Sequence, residues 1–112
     1  MKRSKNTESE MEVIWSAKAR ITYYKVLDYL DTQWSKKEII QFNERTEIII
    51  NAIKKNPGIF PSSLKFKNIR RAIIDKNNSF FYSIDPENDK IYLLTFFDNR
   101  QSSDNIKPGN LY

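Results

Sequence analysis

Lys65, Lys67, Arg70, Arg71 and Lys76 crowd into residues 61–80, where Asp75 is the one opposing charge. Cations at that density bind phosphate or carboxylate oxygens through charge-assisted hydrogen bonds. A second polar group, Asp98-Asn99-Arg100-Gln101, ends the apolar run from Ile91 to Phe97 and sets a cation among two amides and a carboxylate. Nothing else in the chain offers standard catalytic chemistry. With no His and no Cys, imidazole acid–base steps, thiol nucleophiles, disulfides and cysteine zinc sites are excluded. A metal would need oxygen ligands alone, and no acidic cluster suggests them, so neither metal nor cofactor is expected.

Each of these residues also has a plain structural reading. Arg70 and Arg71 alternate across a strand, so one faces the protein and must be paired there, while the other can be a solvated edge charge. Arg100 follows Asp98 closely enough for a surface ion pair worth about 0–1 kcal/mol. Lys65 and Lys67 flank Phe66, a spacing that suits phosphate contact with aromatic stacking and equally suits solvated loop lysines around one anchoring ring. Tyr82 shares a strand face with Phe80 and Ile84 and reads as core. Trp15 and Trp34 read as core or helix-end packing.

The elements that position these groups follow from periodicity. Residues 11–15 make a short strand. Ser16 stands where an N-cap belongs, and Ala17, Ile21, Tyr24, Leu27 or Asp28, and Leu30 follow at helical spacing, so a first helix runs to about residue 31. Ser35 and Glu38 match a capping box that opens a second helix with Ile39, Phe42, Ile49 and Ile53 as its apolar set, ending before Asn56-Pro57-Gly58. A short connection makes the two helices an antiparallel hairpin. After a Pro- and Ser-containing loop over residues 59–67 the period changes to two. Strands are expected over residues 69–74, 79–85 and 90–97, with turns at residues 75–78, where Asn tolerates a positive φ, and at residues 86–89. The last strand is apolar on both faces, with Ile91, Leu93 and Phe97 on one and Tyr92, Leu94 and Phe96 on the other, so it belongs at the centre of the sheet. The fold class is therefore α+β with two layers: a β-α-α-β-β-β order in which the helical hairpin packs on a mainly antiparallel sheet and leaves the other face partly exposed.

At 112 residues the chain is one domain, and seven Phe, six Tyr and two Trp enlarge the area that a 39% apolar composition can bury. Residues 1–10 read as a disordered arm, 11–102 as the folded domain and 103–112 as a loosely held polar tail. Residues 81–112 carry three basic and five acidic side chains, so the net charge of +5 is concentrated before and along one hairpin, as an anionic partner requires. No apolar stretch approaches membrane-spanning length, and residues 1–10 lack the apolar core of a secretory signal, so no membrane association and a cytoplasmic location are expected.

The element order, the Trp15-Ser16 lead into the first helix, the strand Asn68-Ile69-Arg70-Arg71-Ala72-Ile73-Ile74, Phe80-Phe81-Tyr82-Ser83-Ile84 and the closing Asp98-Asn99-Arg100-Gln101 together resemble the RelE/ParE toxin superfamily of bacterial type II toxin–antitoxin modules, the plasmid stabilisation type. The resemblance covers about residues 11–102. It implies a growth-inhibiting toxin neutralised by a cognate antitoxin, and a target that is either DNA gyrase, as in the ParE branch, or ribosome-bound mRNA, as in the RelE branch. A RelE-like endoribonuclease would place Arg70, Arg71 and Arg100 at its catalytic centre. It would also want an arginine where Ser79 stands and a C-terminal tyrosine or histidine, for which Tyr112 is poorly placed. With those groups missing, the ParE-like reading is preferred, and the target- or nucleic-acid-binding surface is assigned to Lys65, Lys67, Arg70, Arg71, Lys76, Asn99, Arg100 and Gln101. A plain basic nucleic-acid-binding domain that uses residues 65–76 stays open as a third reading.

Overall fold

Residues 11–100, Gly109 and Leu111 are described by the computed structural model of the chain. Strand β1, Glu12–Trp15, gives way at Ser16, whose Oγ accepts from the Ala19 N–H at 2.9 Å and caps helix α1, Ala17–Gln33. Trp34 and Ser35 connect to helix α2, Lys36–Lys55, where the Glu38 carboxylate accepts the Ser35 N–H at 3.1 Å in the expected capping box. Hydrogen bonds from the Ser35 hydroxyl and N–H hold the Glu38 carboxyl below its usual range. Strands β2, Ile69–Ile73, β3, Asn78–Asp85, and β4, Lys90–Asp98, complete the order, with a 3-10 turn at Pro86–Asn88 between the last two. The sheet runs β1-β4-β3-β2, parallel between β1 and β4 and antiparallel elsewhere. The chain is thus a two-layer α+β domain, with β4 inside the sheet as its two apolar faces require.

Strand β4 outruns β1, which pairs with it only from Lys90 to Leu93. Beyond that point its backbone needs other partners. The Ser16 hydroxyl donates to the Leu94 carbonyl at 2.9 Å, and Thr22 Oγ1 accepts the Phe96 N–H at 2.8 Å, so α1 serves as a polar extension of the missing strand. These bonds fix how α1 is rotated on the sheet. Ala19 lies against β4 where a larger side chain would hold the helix away, and Tyr23 follows it inward and donates its phenol to Asn43 Oδ1. The stripe read from the sequence is displaced in part: Leu27 and Leu30 pack on the core as expected, but Ile21 and Tyr24 are 56% and 62% exposed, and Ala19, Tyr23 and Val26 take the inward positions. Phe42 and Ile53 of α2 are buried as expected.

Two further expectations are corrected by local geometry. Leu94 is an extra residue in the β3–β4 ladder, since Phe81 pairs with Thr95 and Tyr82 with Leu93. This bulge exchanges the faces beyond it, so Phe96 joins Ile91 and Leu93 under the helices while Phe97 joins Tyr92 and Leu94 on the other side. The turn after β2 uses no positive φ at its Asn residues. Asp75 Oδ1 accepts both the Asn77 and Asn78 N–H groups at 2.8 Å, and this side-chain cap makes the turn.

The helix-side core centres on rings: Phe96 lies 5.1 Å from Tyr23, 5.3 Å from Phe80 and 5.5 Å from Trp15 between centroids. The opposite face has its own cluster of Phe66, Ile69, Phe81, Leu94 and Phe97, and Leu111 is buried among them at 2% exposure. Lys18 Nζ donates to the Gly109 carbonyl at 3.0 Å beside it. Within the polar tail the sequence reading saw no such anchor; the expectations for residues 1–10 and for Gln101 and Tyr112 lie outside the described residues. Among the described residues no helix is long and apolar enough to cross a membrane.

Candidate functional site

Alternation along β2 sends Arg70 and Arg71 to opposite sides of the sheet. Arg70 faces the helix layer, opposite Tyr82 in register, and its Nη1 donates to the Phe60 carbonyl at 2.5 Å. Tyr82 is fully buried there and donates to the Pro57 carbonyl at 2.7 Å, and burial pushes its phenol pKa up. Both side chains therefore tie down the loop that follows α2. Backbone bonds from Ser63 N–H to the Ile69 carbonyl and from Arg71 N–H to the Pro61 carbonyl place the same loop along the outer edge of β2.

Arg71 lies on the other face, half-buried, and its surroundings are unusual for a charge. Its Nε donates to Ser79 Oγ at 3.1 Å, its Nη2 donates to Asn99 Oδ1 at 2.7 Å, and the guanidinium sits 5.4 Å from the centroid of Phe97. Ser79 Oγ in turn donates to Asn99 Oδ1 at 2.6 Å. Asn99 is the hub of the group, because its N–H reaches the Asn77 carbonyl at 2.8 Å and its Nδ2 the Asp75 carbonyl at 3.0 Å, locking the end of β4 to the β2–β3 turn. All these partners are neutral, and among the described residues no carboxylate pairs with Arg71. The cation is held in one geometry without a charged partner among the described residues, which is the condition for anchoring an anionic group from outside.

Lys65 shares this face, with its Nζ 5.5 Å from the centroid of Phe66 in the apolar cluster. Lys67 in the same loop and Lys76 in the β2–β3 turn are exposed. Arg100 goes elsewhere. Its Nη2 and Nε donate to the Asp98 carboxylate at 2.7 and 3.0 Å, and its guanidinium lies 5.9 Å from the centroid of Tyr29 on α1. The hydrogen bonds from Arg100 hold the Asp98 carboxyl below its usual range and push the guanidinium further up. The three arginines read as possible catalytic groups therefore occupy three separate settings, with Arg70 tied to a loop carbonyl on the helix side, Arg100 paired with Asp98, and Arg71 held by Ser79 and Asn99 on the opposite face.

Of the expected binding residues the fold thus joins Arg71 to Asn99 and brings Lys65 to the same face. Sequence reasoning missed Ser79 as a ligand of Arg71: it is completely buried, and its pairing opposite Ile73, with Phe97 on its other side, becomes legible only once the register is known. No group of His, Cys, Asp and Glu among the described residues could hold a metal ion.

No protein-family model and no curated protein matches the chain. Among solved structures it is similar to the crystal structure of the toxin–antitoxin complex RelBE2 from Mycobacterium tuberculosis, with a TM-score of 0.59 over 85% of this chain and 98% of that one. At 13% identity the likeness is one of fold.

Proposed function

We propose that the protein is the toxin of a bacterial type II toxin–antitoxin module, neutralised by a cognate antitoxin and acting by binding DNA gyrase instead of cleaving RNA. The toxin reading is supported by the shared β-α-α-β-β-β fold of a chain in a toxin–antitoxin complex. The observation that carries the choice of target is the isolation of Arg71. Cleavage through a ribose 2′-hydroxyl needs a proton acceptor and a proton donor beside the cation that steadies the phosphorane. Around Arg71 the described side chains are a serine, an asparagine and a phenylalanine ring, which can fix and bind but supply no evident acid–base pair. Such a surface suits recognition of an anionic partner.

Inducible expression in a bacterium, with and without the product of the adjacent reading frame, tests both parts. Growth arrest relieved by that product, with altered plasmid supercoiling and unchanged transcript 5′ ends, is the expected result. Reproducible cleavage of messenger RNA within codons moves the protein to the ribonuclease branch, and absence of arrest at good expression removes the toxin reading.

A further inference from the structure

Asn99 uses both ends of its side-chain amide on the surface that carries Arg71. Its Oδ1 accepts from Arg71 Nη2 at 2.7 Å and from Ser79 Oγ at 2.6 Å. Its Nδ2 donates to the Asp75 carbonyl at 3.0 Å, and its backbone N–H donates to the Asn77 carbonyl at 2.8 Å. Those two carbonyls flank Lys76, which is exposed. One residue therefore orients a first cation through its oxygen and clasps the backbone around a second through its N–H groups.

The Arg71 guanidinium is held by a single edge. Arginine carries five N–H donors in a rigid fork. Nε and Nη2 along one side are engaged by Ser79 and Asn99, and no other described residue accepts from Arg71. What remains is the end of the fork, Nη1 with the second N–H of Nη2, a pair of parallel donors that matches two oxygens of one oxyanion. The guanidinium also lies over the Phe97 ring, 5.4 Å from its centroid, which limits how far it can swing.

An aspartate would occupy the same space as Asn99 but not the same role. Its carboxylate would compensate the guanidinium and could not donate to the Asp75 carbonyl, whereas an amide accepts at one end and donates at the other without charge. We propose that Asn99 is the positioning residue of an oxyanion site, with the end of the Arg71 fork as its bidentate donor and Lys76, on the clasped turn, as its second charge. The group it takes presents two oxygens side by side, as a phosphate or a carboxylate does. This rests on the reading of the Arg71 face as the surface that meets an anionic partner, and it makes the neutrality of Asn99 the condition for that meeting.

The test is nitrogen-15 NMR of the full chain, following the Arg71 Nε–Hε signal and the Lys76 amide while inorganic phosphate, acetate or chloride is added at matched ionic strength. Phosphate and acetate should move both signals together and saturate, and chloride, which has no pair of oxygens, should not. The tighter of the two shows whether the natural group is phosphoryl or carboxyl. Asn99→Asp should weaken saturation by about fivefold or more, because its carboxylate competes with the probe. Ser79→Ala removes the acceptor of Nε without adding charge, so it should cost about two- to threefold and shift the Arg71 Nε–Hε signal toward that of a free arginine. Circular dichroism and thermal melting check that the variants are folded, and if Asn99→Asp is not, Ser79→Ala decides alone. No saturable response, equal saturation in the parent and Asn99→Asp, an unmoved Arg71 signal in Ser79→Ala, or a chloride response as large as that of phosphate would overturn the proposal. Growth arrest is not read here, so a failure of the oxyanion site leaves the toxin reading standing, and a failure of the toxin reading does not alter these titrations.

Discussion

Phe80 and Phe81 are neighbours on β3, yet the first is locked beneath two helices and the second beneath a loop and Leu111. On the helix side, long elements with caps at both N-termini hold the rings, and α1 hydroxyls complete the sheet's hydrogen bonding. On the other side, Phe66 and Leu111 come from segments outside the helices and strands, and a half-buried arginine sits in the same layer. The difference teaches where the molecule can afford function. A deep core rejects an uncompensated charge, while a thin layer can carry one at its margin and remain open to a partner.

Adjacent alanine substitutions probe that contrast most sharply. Phe80→Ala should cost about 4–5 kcal/mol, a large share of the stability of a domain of this size, whereas Phe81→Ala should cost about 3 kcal/mol because the thinner layer can collapse around the void. Urea denaturation measures both, and equal losses would erase the distinction between the faces. Leu111→Ala should lower stability by about 2 kcal/mol in the same assay, with Phe66 becoming more accessible; no change would mean that the terminal anchor is energetically idle.

Arg71→Ala should cost only about 1 kcal/mol, since the bonds lost are to neutral groups, but it should abolish growth arrest at equal expression. Arg70→Ala is the internal control. It removes a loop tether, so arrest should survive wherever the protein remains folded. If Arg70→Ala abolishes arrest and Arg71→Ala spares it, the functional face has been assigned to the wrong side of the sheet.

The smallest effect is electrostatic. The Asp98 and Glu38 carboxyls are both lowered in the folded protein by hydrogen bonds, from Arg100 and Ser35 respectively. Groups shifted down stabilise above their unfolded pKa and lose that contribution as the pH falls through the folded value. Stability should therefore be level near neutrality and decline below about pH 4, and Asp98→Asn should flatten the acid limb of a melting-temperature profile.

Much of the fold could be read from local chemistry. Ser16, the Ser35 and Glu38 box, and Asn56-Pro57-Gly58 act within a few residues of themselves, so both helices were legible. The double apolar character of β4 revealed its central place for the same reason. What escaped was decided across the chain. The rotation of α1 depends on Ser16 and Thr22 meeting Leu94 and Phe96. The Leu94 bulge exists only in relation to β3, and without it Phe96 and Phe97 are assigned to the wrong faces. The candidate site divided along the same line: Arg71 and Asn99 stood out as a cation and an amide, but Ser79 looked like a missing arginine until the register placed it beneath Arg71.

The parallel pairing of β1 with β4 also sets a timetable for synthesis. Glu12 finds its partner only when Lys90 has been made, and β3 likewise waits for β4 along its length. Until then the nascent chain holds a helical hairpin whose Tyr23 and Phe42 have no sheet to cover them, together with a β2–β3 hairpin lacking its inner neighbour. Closure of so distant a contact is slow compared with helix formation, so the last described strand to emerge converts the whole chain at once. The surface that carries Arg71, Ser79 and Asn99 therefore comes into being only once the strand that ends at Asp98 has been made and seated.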